Sequence, residues 1–399
     1  MENESSGWHR LKPDNMNPVT LEKQSPQRVL FVDYFLPAFD RSAGNQRAFE
    51  LVRLIRGFGC PVTVLARNGE CQKRYQDALS DLGIETLATD PDHLTVWDYK
   101  PGTPRIDFEH LLPARDYSVV IISRWENAEL YTPLIRKWLP KARIIVDSVD
   151  LHFRRGQMRQ ILHPDKESDS EVHKQKEREL HVYRQADALI AATEEEAEML
   201  RKEVPDVSAV YVVPTMYDIL QNPPAFEQRH DLLFVGNFAH SPNSDALVYF
   251  CGEIFPKIQE HLQQVRLYIV GANASFWMKD LAQANIVVAG YLPSMLPMLC
   301  SARISVAPLR YGAGMKGKIV ESMAAGLPVV TTSTGAAGLS LVDGQNALIA
   351  DDAAGFGRKV VQLYEDENLW KSLQKAGVEL VRRSLTPQTV APIIRKMLA

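Results

Sequence analysis

The feature that most constrains this chain is an alternation of short β-branched runs with longer helical patterns, played out twice. The first set starts at Arg28–Asp33 and continues through Val62–Leu65, Ser118–Ile122, Arg143–Val146, Ala188–Ala191 and Val210–Val213. The second starts at Asp231–Gly236 and continues through Val265–Val270, Ile286–Val288, Ile304–Ala307, Pro328–Thr331 and Ala347–Ile349. Alternation of this kind argues for parallel sheets covered by helices. Between the sets, from Pro214 to His230, periodicity fades and Pro223-Pro224 appears, which marks a linker. At 399 residues the chain is also too long for one ordinary core. The expected architecture is two α/β domains facing across a cleft, with a ligand at the strand C-termini. The boundaries read as a polar tail (1–27), a first domain (28–214), a linker (215–230), a second domain (231–387) and an amphipathic helix (388–399). That helix either caps the second domain or crosses back to brace the first.

Composition removes several function classes. Apolar residues make up 45% and charged residues 24%, the balance of a folded globular chain. A net charge of −4 gives no general drive toward nucleic acid. Met1–Gln27 lacks the apolar stretch of a signal peptide, and no run of about 18 uncharged apolar residues would span a membrane. Cys60, Cys71, Cys251 and Cys300 are scattered without a CxxC pair, which fits idle thiols in a cytoplasmic protein.

The most informative stretch is Val306–Val330: a strand, a loop with Gly312, Gly314 and Gly317, a helix, and a tight turn at Gly326 and Pro328. Glycines let backbone approach a ligand, and a helix N-terminus offers free N–H groups to an anion. Arg310, Lys316 and Lys318 add cations where a diphosphate would lie. Glu321 follows Lys318 by three residues, on one side of the helix, where a carboxylate can accept from the vicinal ribose hydroxyls. The bland alternative is a glycine loop chosen for packing, with solvated lysines. Gly312–Lys318 also fits the start of a phosphate-binding GxxxxGK loop, but Ile319 stands where Ser or Thr would hold magnesium. A dinucleotide oxidoreductase is disfavoured because no GxGxxG follows the first strand.

With these residues in view, the chain resembles glycosyltransferase family 4, the retaining GT-B enzymes of the glycosyl transferases group 1. The resemblance is carried by Arg310–Val330 with Leu233–Asn243 and Leu267–Gly271, and extends to Phe31–Pro37, Ser42–Gly44 and Asp147–Arg155. It covers most of the chain from about Arg28 to Leu348. The implied fold is GT-B, two Rossmann-like β/α/β domains with a C-terminal helix crossing back.

The resemblance implies roles residue by residue. Glu321 takes the place of the glutamate that holds the donor ribose, and Lys318 that of a lysine one turn earlier on the diphosphate. Another glutamate, eight positions before, contacts the transferred sugar in many members; here it is Ala313. Backbone N–H groups of Gly314, Met315 and Lys316 are the candidates to replace it. The arginine that members often carry after the first glycine of the second domain is Asn237, so Arg310 or His240 is expected to make up the charge. Tyr291 lies where members contact the base, or is a packed loop tyrosine. Gly44 sits where backbone amides approach the β-phosphate. His152 resembles the histidine beside the reacting sugar, oriented by Asp147 and Asp150, which otherwise simply cap the next helix.

The implied reaction is metal-independent transfer, with retention, from a nucleoside-diphosphate-sugar to a glycan, lipid-linked or other hydroxyl acceptor. No cofactor is expected; Asp351-Asp352 reads as a solvated turn. The helix Arg47–Phe58 combines an apolar face (Phe49, Val52, Ile55) with Arg47, Arg53 and Arg56. That pattern admits weak peripheral contact with an anionic inner-membrane face, or an ordinary helix with its apolar side in the core. The alternatives to a transferase are a nucleotide-sugar epimerase on the same fold and a non-catalytic nucleotide-sugar-binding regulator.

Overall fold

The computed structural model describes residues 27–67, 72–90, 95–98, 106–164, 168–274, 278, 281 and 284–399. The tail before residue 27 and Cys71 lie outside them. The described Cys60, Cys251 and Cys300 are free thiols.

The first domain is a sheet of β1 (Val29–Asp33), β2 (Val62–Ala66), β3 (Glu85–Asp90), β4 (Thr95–Asp98), β5 (Ile106–Asp107), β6 (Val119–Ser123), β7 (Arg143–Asp147), β8 (Ala188–Ala191) and β9 (Val210–Val212). Its order is β5-β4-β3-β2-β1-β6-β7-β8-β9. All pairings are parallel except β3 with β4 and β4 with β5, which form an antiparallel edge. The second domain is a parallel sheet of β10 (His230–Val235), β11 (Leu267–Val270), β12 (Ile286–Gly290), β13 (Ala302–Ala307), β14 (Val329–Thr331) and β15 (Leu348–Ile349), in the order β12-β11-β10-β13-β14-β15. β1, β2 and β6 are buried along their whole length, which explains why they read as unbroken apolar runs rather than alternating ones. In each sheet the order reverses at the first strand of the domain, β1 or β10. The crevice beyond such a strand is where α/β sheets bind ligands.

Two helices matter for the site. The helix Ala43–Gly57 opens at Ser42, whose hydroxyl accepts from the Asn45 N–H at 3.2 Å. Its apolar residues Phe49, Leu51, Val52, Leu54 and Ile55 are buried in the first domain's core. Arg47, 2% exposed, ion-pairs with Asp147 at 2.7 Å. Of the two readings of this helix, the structure shows the ordinary one: its apolar face is packed in the core and does not supply a lipid-facing surface. No helix among the described residues is long and apolar enough to cross a membrane.

The helix Pro387–Leu398 follows the second domain in sequence but packs on the first. Val390, Ile394 and Met397 join the core that contains Leu51 and Ile55, and Arg143 donates to the Met397 carbonyl at 2.8 Å. Ile394 is fully buried there. Ile394→Ala is expected to destabilise the protein by about 2–5 kcal/mol, read from urea denaturation. An effect below about 0.5 kcal/mol would show that the helix docks only loosely.

Candidate functional site

The two domains enclose a cleft of about 900 Å³. Its floor is built where two helix N-termini meet. Gly317 opens the helix Gly317–Ala324, and a side-chain carbon added there would collide with Ala43, the first residue of Ala43–Gly57. Each terminus leaves first-turn N–H groups without intrahelical acceptors and carries the positive end of a helix dipole. Gly44 lies in one of these turns and lines the cleft. Two positive ends facing one space make an anion site before any side chain is counted.

Lys316 and Lys318 add formal charge to it. Burial, and then the neighbouring Lys316, push the Lys318 ammonium down to about 7. Its Nζ donates to the Asn243 side-chain oxygen, and no carboxylate pairs with it among the described residues. Burial likewise lowers Lys316, against the pull of Glu196. Glu321 lines the same cleft, and burial raises its carboxyl to about 7. Its carboxylate has no hydrogen-bond or ion-pair partner among the described residues. Unpaired cations and an unpaired acid lining one cleft are costly in an empty protein, and they are what a ligand carrying phosphates and hydroxyls would satisfy.

The other wall carries His152, the first residue of the helix His152–Leu162. Its Nε2 lies 3.2 Å from Asp150 Oδ1, and its Nδ1 lies 3.2 Å from Glu126 Oε1 and 3.0 Å from Trp125 Nε1. Trp125 can only donate and ionised Glu126 only accept, so Nδ1 serves one at a time. Burial alone would lower the ring's pKa, but hydrogen bonds to Asp150 and Glu126 outweigh it and raise it to about 9. The imidazolium form therefore prevails at neutral pH and bonds the two carboxylates.

Of the expected orienting pair, Asp150 touches His152 and Asp147 does not. Asp147 is spent on Arg47 and on the Val149 N–H at 3.1 Å. Neither acid caps the His152 helix. Glu179, far along the chain, accepts from the N–H groups of His152 at 3.1 Å and Phe153 at 2.8 Å. Two strand-to-helix connections here are strained: Val149, between β7 and the His152 helix, has φ 63°, and Arg124, between β6 and the helix Trp125–Trp138, has φ 75°, conformations that β-branched and long side chains rarely adopt.

The remaining expected residues divide. Gly314, at φ 72°, brings the glycine loop onto the first domain; an added side-chain carbon would sit 2.8 Å from Asp150 Cβ. Its N–H already donates at 2.8 Å to Glu196, a buried acid whose other oxygen has no partner. Burial, and then Asp150, raise Glu196 to about 7. Its backbone N–H donates to the Thr193 hydroxyl at 3.2 Å as part of the helix cap, while the carboxylate turns across the domain boundary. Met315 lines the cleft, and its sulfur accepts from the Thr215 N–H at 3.1 Å.

Tyr291 also lines the cleft, yet its hydroxyl donates to Asp40 at 2.8 Å and accepts from Arg74 at 2.6 Å, with Arg41 over the ring at 4.1 Å. It is a bridge between domains as well as a wall. Arg310 is the residue the structure takes away. Its guanidinium forks onto Asp245 at 2.9 and 2.5 Å and covers Tyr249, outside the cleft lining. An acid on the adjoining helix captured it, and nothing at the Arg310 end of the sequence announces that pairing. Asp351 bonds Ser333 and Asp352 caps the helix Ala353–Glu365.

The described residues form the GT-B fold, two Rossmann-like domains with a cleft between them lined by Lys316, Lys318 and Glu321. Residues 229–366, about a third of the chain, match the family model described as glycosyl transferases group 1. A TarM variant of S. aureus, solved in complex with Fondaparinux, alpha-GlcNAc-glycerol and UDP, superposes with a TM-score of 0.71 at 9% identity, covering 93% of this chain and 99% of that one. HepE from Anabaena in complex with UDP-glucose gives 0.66 at 13% identity, covering 93% and 99%. Sucrose-phosphate synthase from Thermosynechococcus elongatus gives 0.67 at 14% identity, covering 93% and 98%. An uncharacterized 44.6 kDa protein in the cps region of Klebsiella pneumoniae is 24% identical over 140 residues, 33% of this chain and 36% of that protein. The match to that curated relative thus spans about a third of its length. The coarser part of the resemblance read from the sequence stands: most of the second domain matches the model of the glycosyl transferases group 1, and the described residues have the GT-B fold.

Proposed function

We propose that this protein is a retaining, metal-independent glycosyltransferase that moves a sugar from a nucleoside-diphosphate-sugar to a hydroxyl acceptor. The observation that carries the reading is the pair Lys318 and Glu321, both lining the cleft and both without a partner of opposite charge. The diphosphate lies over the facing helix N-termini with Lys316 and Lys318, and the ribose hydroxyls bond Glu321. Bond cleavage develops negative charge on the leaving phosphate, and fixed donors and cations around it stabilise that charge. The acceptor hydroxyl attacks on the face the phosphate leaves, and the departing phosphate oxygen takes its proton. UDP and UDP-glucose in the superposed proteins support a uridine donor, and the glycan ligands of one of them support a glycan acceptor.

A thermal-shift panel of UDP, GDP, ADP and CDP sugars tests the reading, because the ligand that binds the folded state raises the melting point. Glu321→Gln sharpens it. The variant is expected to lose roughly 10-fold or more in affinity for UDP, the scale of a hydrogen bond to a charged group. It should lose much less for 2′,3′-dideoxy-UDP, which lacks the hydroxyls Glu321 would bind. Equal losses for the two ligands would remove Glu321 from the ribose.

A further inference from the structure

The anion site described above is short of one cation. The residue after Gly236 is Asn237, whose side chain is occupied with Arg41, Ala239 and Asn273. His240, on the same loop, is uncharged at neutral pH, because burial and then Arg155 push its ring down to about 4. Arg310 is held by Asp245. Other arginines line the cleft, each already engaged by a partner. Arg41 lies over Tyr291 at 4.1 Å, Arg67 over Tyr34 at 5.6 Å, and Arg124 pairs with Asp33 at 3.2 Å.

Arg155 is placed differently. It follows His152 by three residues on the same helix, so the two side chains share a face. Its Nη1 is ion-paired with Asp150, the residue against which Gly314 packs and which also bonds His152. The guanidinium is therefore anchored beside both the histidine and the glycine loop. Its side chain is 24% exposed, and it borders the large cleft and a second cavity of about 480 Å³ that also contains His152 and Glu126. A guanidinium has five N–H donors, and among the described residues Asp150 is the acceptor its side chain uses. The rest of the fork is free for a phosphate, which it matches in geometry.

We propose that Arg155, reaching over from the N-terminal domain, is the missing diphosphate-binding cation, gripping from one side the phosphates that Lys316 and Lys318 hold from the other. The inference rests on the donor-site reading above and adds to it a contact from the opposite domain. Asp150 then acts as the holder that keeps the fork aimed when the cleft is empty. Binding of the donor joins the domains through this residue.

Titration calorimetry with UDP and with uridine separates the outcomes, using the full chain as wild type, Arg155→Gln and Arg155→Lys. The Gln variant is expected to bind UDP roughly 10–100-fold more weakly, the scale of a lost charge-assisted contact, with uridine affinity unchanged. The Lys variant should recover part of the loss. UDP affinity equal to wild type in the Gln variant would overturn the assignment of Arg155 and leave the donor reading intact. A wild type that binds neither UDP, GDP, ADP nor CDP would overturn both. Should the Gln variant fail to fold, the UDP-to-uridine affinity ratio of the Lys variant decides, and a ratio equal to wild type overturns the inference.

Discussion

Replacing Lys318 by Met is expected to cut transfer by about 10²–10³-fold while raising the melting point of the empty protein. The two effects share one cause. Lys318 sits in a cleft with no acid to pair with, and burial, then Lys316, bring its ammonium down to about 7. An unpaired cation held out of water costs free energy in the empty protein, and the phosphate of a donor relieves that cost. Met keeps the stem's packing and removes the charge, so stabilisation by about 1–3 kcal/mol is expected, part of the full penalty being screened by cleft water.

The sign of the pH dependence follows from the depressed pKa. Between about 7 and the ordinary value of 10.5 the unfolded chain holds the lysine proton and the folded one does not, so wild-type stability rises with pH across that window. The advantage of the Met variant should accordingly be largest at and below pH 7 and fade toward 10.5. UDP binding at pH 7 should also take up a fraction of a proton, visible as a buffer-dependent enthalpy. A Met variant less stable than wild type at pH 7, with normal transfer, would show that Lys318 has another role.

His152→Ala is the second large effect expected. Transfer should fall by about 10²-fold, the scale of removing one fixed donor at a reacting centre, while UDP affinity changes little. That split separates an enzyme from a nucleotide-sugar-binding regulator, which would have no turnover to lose. The raised imidazole pKa adds a readout independent of activity. The charged ring's pairing with Asp150 and Glu126 contributes stability that is fully present below about 6.5 and lost as pH rises through about 9. The stability gap between wild type and the Ala variant should close across that window. A gap that stays constant would mean that packing, not charge, makes up the difference.

Much of this was legible in the sequence, and the pattern of what was not has a physical reason. The central strands were readable because strands buried on both faces must be apolar throughout, as β1 and β6 are. The antiparallel edge of β4 and β5 was missed, being short and without that constraint. Lys318 and Glu321 were readable because glycine loop, lysine and glutamate lie within one helical turn of each other, where spacing alone dictates proximity. The setting of His152 was only half readable. Asp150 is two residues away and was found; Glu126 and Glu179 belong to other helices and no local pattern points to them. Arg310 failed for the same reason in reverse, since Asp245 claims it from another helix. Glu196 illustrates a further limit: a residue whose backbone N–H is taken up by a helix cap, here Thr193, has its side chain left over for a different task.

The docking of Pro387–Leu398 on the first domain has a consequence for how the protein is made. The segment that completes the first core follows the entire second domain in the chain, so the ribosome delivers it only after that domain has emerged. The first sheet can assemble earlier, but with the face that Val390, Ile394 and Met397 will cover still open to water. Biogenesis is thus expected to pass through a species with a closed second lobe and a sticky first one, a natural client for chaperones during synthesis.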